Sequence, residues 1–308
     1  MMNKRHNKRE ITLLNGKVAV VTGSGSGLGR AYALALAEAG AKIVVNARTA
    51  GDVARVVKEI ETIGGTAQGC VISIESMDGA RQTIETAINK FGRIDILVNN
   101  AGLFCPKLLA EMTEHDFDEV IATNLKGTFA CTRNAVNYMI KQRWGRIINM
   151  ASGAVLGAAE GTSYSASKGG ILSMTLTWAI ELAKYGITCN AIRASANTRM
   201  TKPRIELARQ AAIEQHKQPP TALDLGHYEP EAAAPLVVFL ASEQAHWING
   251  QFISIDGPKL GINACTHRVR SAVMPGGWTV EHLLDNFKTT VGIQLEPFGQ
   301  TSDRERPL

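Results

Sequence analysis

The sequence predicts an α/β fold, a doubly wound parallel sheet of about seven strands with helices on both faces. Three observations predict it. Short apolar runs alternate with stretches of helical period from residue 16 to about residue 257, a rhythm that implies parallel strands joined by crossover helices. The first run, Lys17-Val18-Ala19-Val20-Val21, leads directly into a glycine-rich turn, Thr22-Gly23-Ser24-Gly25-Ser26-Gly27-Leu28-Gly29. An alanine-rich helical pattern begins as that turn ends.

The elements follow in order. Residues 17–21 read as a buried strand and 28–39 as a helix stopped by Gly40. Strand 42–46 is followed by helix 53–63, which ends at Gly64-Gly65, since glycine closes helices readily. Strands 67–74 and 94–98 flank a helix over 80–91. Helical period then runs from about 114 to 141, interrupted near Lys126-Gly127. Residues 146–150 read as a strand, 164–185 as a helix, 188–192 as a strand, 232–241 as a helix and 252–255 as the last strand. Two segments break the rhythm. Residues 198–229 are polar and charged, carry Pro219-Pro220, and read as a helical lid with a loop. Residues 258–308 form a C-terminal extension, with short-helix character at 280–287, that is too short to bury a core of its own. The expected organisation is a disordered basic tail over 1–15, one domain over 16–257, and the extension.

At 45% apolar residues in 308, the chain has the composition of a soluble α/β protein. Its net charge of +5 is uneven, because the first ten residues hold four bases and one acid. No basic stripe on the folded body suggests a nucleic-acid partner. The five cysteines, Cys70, Cys105, Cys131, Cys189 and Cys265, are odd in number and far apart, which favours free thiols in a reducing compartment. No histidine pairs with another histidine or a cysteine at metal-ligand spacing, so no metal site is expected. No run approaches the roughly 18 apolar residues of a membrane span, and no apolar core follows the N-terminal charges. The expectation is a cytoplasmic protein without a membrane partner.

The motifs carry the chemistry. Glycines between a strand and a helix permit a tight turn and let the backbone approach a diphosphate, whose charge the helix N-terminus favours. Here the spacing is TGxxxGxG. An acid at the end of the second strand would hold the ribose 2′-hydroxyl of NAD, but this chain has Asn46-Ala47-Arg48-Thr49 there. With the acid missing and Arg48 able to pair with a 2′-phosphate, NADP(H) is favoured over NAD(H). Arg48 as a solvated surface residue is the plain alternative. Tyr164 and Lys168 are four apart in a helical stretch and share a face. An ammonium near a phenol favours the phenolate, and such a pair can supply a proton to an alkoxide near neutral pH.

Those motifs stand with Asn99-Asn100-Ala101-Gly102 after the fourth strand, Thr123-Asn124-Leu125, and Ser152 after Gly145-Arg146-Ile147-Ile148-Asn149-Met150. With them in this order, residues 16 to about 257 resemble the short-chain dehydrogenase/reductase family. The resemblance implies a Rossmann-type fold, a homodimer or homotetramer, and hydride transfer between a nicotinamide and a small-molecule carbonyl or secondary alcohol. It implies Tyr164 as general acid/base, Lys168 lowering its pKa and holding the nicotinamide ribose, Ser152 bonding the substrate oxygen, and Asn124 anchoring a relay water. Gly23, Ser26, Gly27, Leu28 and Gly29 would cradle the cofactor. Asn100 and Gly102 would line its cleft, Glu75 would lie against the adenine, and Thr198 would meet the carboxamide. Ser152 is equally readable as a helix cap.

The chain departs from the family in two places. Ser152 precedes Tyr164 by twelve residues where the family more often has thirteen, which puts the ungapped position on Ala151. Ala194-Ser195 replaces the usual Pro-Gly after the sixth strand. Residues 92–102 and 197–201 look like those of hydroxyacyl-coenzyme A dehydrogenases, so an NAD-dependent 3-hydroxyacyl-thioester dehydrogenase is the alternative enzyme. Lys202, Arg204, Arg209 and Lys217 would meet carrier phosphates, or else lie on a solvated helix face. A non-catalytic dinucleotide-binding regulator is the alternative of another class, and retention of both Tyr164 and Lys168 argues against it.

Overall fold

The structure, a computed structural model, describes residues 12–264, 270–291 and 293. The basic segment 1–11, Cys265 and the end of the extension lie outside the described residues. Strands β1 (Val18–Val21), β2 (Lys42–Ala47), β3 (Thr66–Val71), β4 (Ile96–Asn99), β5 (Gly145–Met150), β6 (Ile187–Ala194), β7 (Phe252–Asp256) and β8 (Lys259–Ile262) form one sheet. Its order is β3-β2-β1-β4-β5-β6-β7-β8. All neighbours are parallel except β7 and β8. The order reverses between β1 and β4, which opens a crevice at the carboxyl ends of the strands.

Burial on both faces explains the continuous apolar strands. Successive side chains point to opposite faces. Ala19, Val21, Ile43, Val45, Ile96 and Val98 pack with helices α1 (Gly27–Glu38), α2 (Ala50–Thr62) and α8 (Ala234–Ala241). Val18, Val20, Val44, Leu97 and Ile147 pack on the other face with α3 (Met77–Phe91), α5 (Gly127–Gln142) and α6 (Thr162–Leu182). The remaining helices are α4 (Glu114–Val120), α7 (Lys202–Glu214) and α9 (Val280–Asn286).

Three features refine the sequence expectations. The sheet has eight strands among the described residues, close to the expected seven, the extra one coming from the C-terminal extension. Gly257, at φ +59, opens a two-residue turn, and the extension returns as β8 with Asp256 opposite Lys259; glycine suits the first central position of such hairpins. The folded body also begins inside the predicted tail, because Leu14 is fully buried in the core that covers α1. The long helix expected over 114–141 is α4, a π-helical turn at Ile121–Lys126, and α5. The π-helical turn ends at Lys126 and α5 begins at Gly127, where the sequence suggested an interruption.

Buried polar bonds set the depth of α6 against the sheet. Asn99 Nδ2 donates to Asn149 Oδ1 at 2.8 Å across β4 and β5, and Asn149 Nδ2 donates to Thr175 Oγ1 of α6 at 2.9 Å. Among the described residues, no helix is long and apolar enough to cross a membrane.

Candidate active site

The glycine turn is built for close backbone approach. Gly23 has φ +63, and a Cβ there would lie 2.7 Å from Ala101 Cα. A Cβ on Gly29 would collide with the Gly23 carbonyl oxygen and the Asn100 amide. Asn100 Nδ2 donates to the carbonyl oxygens of Thr22 (3.0 Å) and Gly23 (3.2 Å), and this fastens the turn after β1 to the end of β4. Ser26 is the N-cap of α1, yet its hydroxyl makes no capping bond, and the first turn carries no acid. The amide groups there remain available to an anion, and Leu28 lies half-buried behind them. A dinucleotide diphosphate therefore fits the residues present.

On α6, Tyr164 is half-buried and Lys168 is buried. Lys168 Nζ donates to the Met150 carbonyl oxygen at 2.6 Å, at the end of β5, and lies 5.5 Å from the Tyr164 ring centroid. Burial lowers the ammonium to about 8. Burial pushes the Tyr164 phenol up, while a side-chain hydrogen bond with Ser152 acts against that rise. Ser152 also accepts from the Ala154 amide at 3.2 Å as cap of a short 3-10 turn, Gly153–Leu156. Ser152 is thus the cap that the sequence allowed, and its side chain also reaches the Tyr164 phenol. Ala151, the ungapped alternative, packs with Ala191 and Phe252 in the core.

Asn124 sits fully buried in the π-helical turn. Its Oδ1 accepts from the Leu103 amide at 2.8 Å, and its Nδ2 donates to the Leu103 carbonyl oxygen (3.0 Å) and Ser167 Oγ (3.1 Å). The side chain is thereby a strut between the loop after β4 and α6. π-Helical turns are frequent at functional sites. Gly102 lies beside this junction; a Cβ there would sit 3.3 Å from Asn124 Oδ1 and 3.7 Å from Lys168 Nζ.

The other residues expected at the cofactor have partners within the protein. Arg48, at the end of β2, is exposed and pairs with Glu75 Oε1 at 3.4 Å. Glu75 also accepts from the Thr123 hydroxyl at 3.1 Å, so its side chain braces the π-helical turn. The Thr198 amide donates to Thr201 Oγ1 at 2.8 Å, and the Thr198 methyl faces Gly27. In place of Pro-Gly, Ser195 Oγ and His227 Nδ1 share a hydrogen bond of 2.9 Å that fastens the two stems of the 198–229 segment. Of the cations there, Arg209 donates to the Pro220 carbonyl oxygen and Lys217 to Gln215. Lys202 and Arg209 line a cavity of about 520 Å³ together with Asn197 and Glu206.

The sequence reading missed Phe104, whose ring meets Tyr164 edge-on at 5.1 Å. Its position two residues after Gly102 was the available signal. Phe104, Leu108 and Leu156 are exposed apolar side chains on two loops joined by the Lys107–Gly161 bridge. Of the three, Phe104 is the one in contact with Tyr164. Also missed were Arg199 and Asp52, which meet at the glycine turn. Among the described residues, no group of three His, Cys, Asp or Glu could hold a metal ion.

The short chain dehydrogenase family pattern matches residues 17–207. The chain is 40% identical over 247 residues to 3-oxoacyl-[acyl-carrier-protein] reductase FabG of Thermotoga maritima, spanning 79% of this chain and 98% of that protein. It is 38% identical over 245 residues to (2S)-[(R)-hydroxy(phenyl)methyl]succinyl-CoA dehydrogenase subunit BbsD of Thauera aromatica, spanning 79% and 96%. A crystal structure of a short chain dehydrogenase from Mycobacterium avium superimposes with a TM-score of 0.79 at 34% identity, over 92% of this chain and 98% of that one.

Proposed function

The chain belongs to the short-chain dehydrogenase family and is an oxidoreductase, and we propose that it is an NADP(H)-dependent reductase of 3-oxoacyl thioesters with Tyr164 as proton donor. The observation that carries this reading is the convergence of Ser152 and Lys168 on the Tyr164 ring beside the end of β5. The dinucleotide, when bound, supplies a hydride to the carbonyl carbon. Tyr164 gives its proton to the carbonyl oxygen, completing the alcohol. Ser152 holds that oxygen by hydrogen bonding, and Lys168 stabilises the phenolate left behind. Burial keeps the phenol protonated in the free protein, as a donor requires. Asn124 keeps the loop after β4 and α6 in register.

Two relatives are named for carrier-bound or coenzyme A-bound acyl groups, and the exposed apolar Phe104 beside Tyr164 suits an acyl chain. Arg48 and the absence of an acid at Ala47 favour the 2′-phosphate of NADP. One observation favours the NAD-dependent 3-hydroxyacyl-thioester dehydrogenase as a second reading. Glu75 already partners Arg48 and offsets its charge. The test is a set of initial rates on acetoacetyl-coenzyme A and on free aliphatic, cyclic and aromatic ketones. Turnover of the thioester well above the free ketones supports the proposal; turnover of free ketones alone overturns the thioester assignment.

A further inference from the structure

One side chain of the 198–229 segment reaches the glycine turn and has no part in the chemistry above. Arg199 Nη2 donates to the Ser26 hydroxyl and to Asp52 Oδ2, the latter at 3.3 Å. Ser26 caps α1 and Asp52 lies in the first turn of α2. Thr198 closes the same gap, with its methyl 3.3 Å from where a Cβ on Gly27 would stand. The segment after β6 is thus drawn onto the turn before α1.

The electrostatics of that contact run against the helix. A helix N-terminus carries positive partial charge and favours anions, so a guanidinium placed there is disfavoured. The first turn of α1 has no acid to offset it. Asp52 gives partial compensation, but it is shared with Arg55, whose Nη2 lies 3.0 Å from it and also donates to the Gly25 carbonyl oxygen at 2.7 Å. Asp52 is therefore surrounded by two guanidiniums and a helix N-terminus. The second carboxylate near Arg55, Glu59 at 3.4 Å, is itself shared with Arg30 and, among the described residues, makes no pair with Arg199. An additional anion between Arg199 and α1 would relieve the imbalance. The planar guanidinium fork suits phosphate oxygens.

We propose that Arg199 is a cofactor-binding residue that holds the dinucleotide's diphosphate bridge from the lid side, exchanging Ser26 and Asp52 for phosphate oxygens. This rests on the dinucleotide reading above and adds to it a coupling between cofactor binding and the position of the 198–229 segment.

The experiment titrates NADPH and the 2′-phosphate of ADP-ribose, which keeps the diphosphate and lacks nicotinamide, into the parent protein, Arg199→Ala and Asp52→Asn by calorimetry. Arg199→Ala is expected to bind both ligands about tenfold more weakly, with a shallower dependence on salt. Asp52→Asn, which frees Arg199, is expected to bind both at least as tightly as the parent. Parent-like affinity in Arg199→Ala overturns the proposal. So does an equal loss in both variants, which would make the Arg199–Asp52 pair a structural tie. A loss for NADPH alone overturns the diphosphate assignment. A parent protein that binds neither ligand would instead sink the dinucleotide reading itself.

Discussion

Asn124 donates to the Ser167 hydroxyl at 3.1 Å, and Ser167 in turn donates to the Tyr164 carbonyl oxygen at 2.7 Å. This short chain ties the π-helical turn to the first turn of the helix that carries Tyr164 and Lys168. Removing the amide in Asn124→Ala leaves both backbone groups of Leu103 without their partner. A loss of about 2–4 kcal/mol in folding stability is expected, together with reduced turnover, and urea denaturation measures it. A loss below about 0.5 kcal/mol would show that the loop and helix hold their places without Asn124.

Lys168 gives a pH-dependent prediction. Its ammonium is lowered from the ordinary 10.5 to about 8 by burial, so the unfolded chain holds this proton more tightly. The destabilisation from burying the charge is therefore complete below about pH 8. It is relieved as pH rises from about 8 toward 10.5, where stability increases. Lys168→Met is expected to abolish turnover yet stabilise the ligand-free protein at pH 7 by up to about 3 kcal/mol. That gain should shrink toward pH 10. Denaturation at both pH values checks the sign, and a destabilised variant at pH 7 would refute it.

The glycine turn and the second helix offer a paired test. A methyl on Gly29 would meet the Gly23 carbonyl oxygen, whereas one on Gly51 in α2 would meet open space. Gly29→Ala is expected to lose dinucleotide binding, with a lowered melting temperature. Gly51→Ala should stabilise by about 0.5–1 kcal/mol, because alanine loses less conformational freedom on entering a helix. Calorimetric melting of the two variants distinguishes them, and equal effects would contradict the packing described for the turn.

Arg48 and Glu75 form an exposed pair at 3.4 Å, and such pairs contribute little to folding. Arg48→Asp is thus expected to leave stability unchanged while moving preference from NADP(H) toward NAD(H) by at least about tenfold. Measured kcat/KM ratios for the two cofactors check this. An unchanged ratio would show that Arg48 does not read the 2′-phosphate.

The parallel sheet was legible because strands covered on both faces leave uninterrupted apolar runs such as Val18–Val21, all buried. The Tyr164 and Lys168 pair was legible because helical spacing alone puts both on one face. Other features depended on distant contacts that local pattern does not carry. The π-helical turn widens the helix where Thr123 reaches Glu75 and Asn124 reaches Leu103, and no residue type announces that. Leu14 is buried through its packing on the α1 side of the sheet, although the charges before it suggested a tail. The contact of Arg199 with Asp52 spans 147 positions of sequence and exists only once the sheet is assembled. The turn into β8 did have a local signal, Asp256-Gly257 after a strand, which the Pro258 that follows obscured.

The most direct test compares initial rates of NADPH and NADH oxidation with acetoacetyl-coenzyme A for the parent protein and for Tyr164→Phe. The parent should turn over at least about tenfold faster with NADPH. Tyr164→Phe should lose about 10²–10⁴-fold in kcat while binding NADPH within about twofold of the parent, since only the phenolic hydroxyl is removed. Turnover in Tyr164→Phe comparable with the parent would contradict the assignment of Tyr164 as the proton donor.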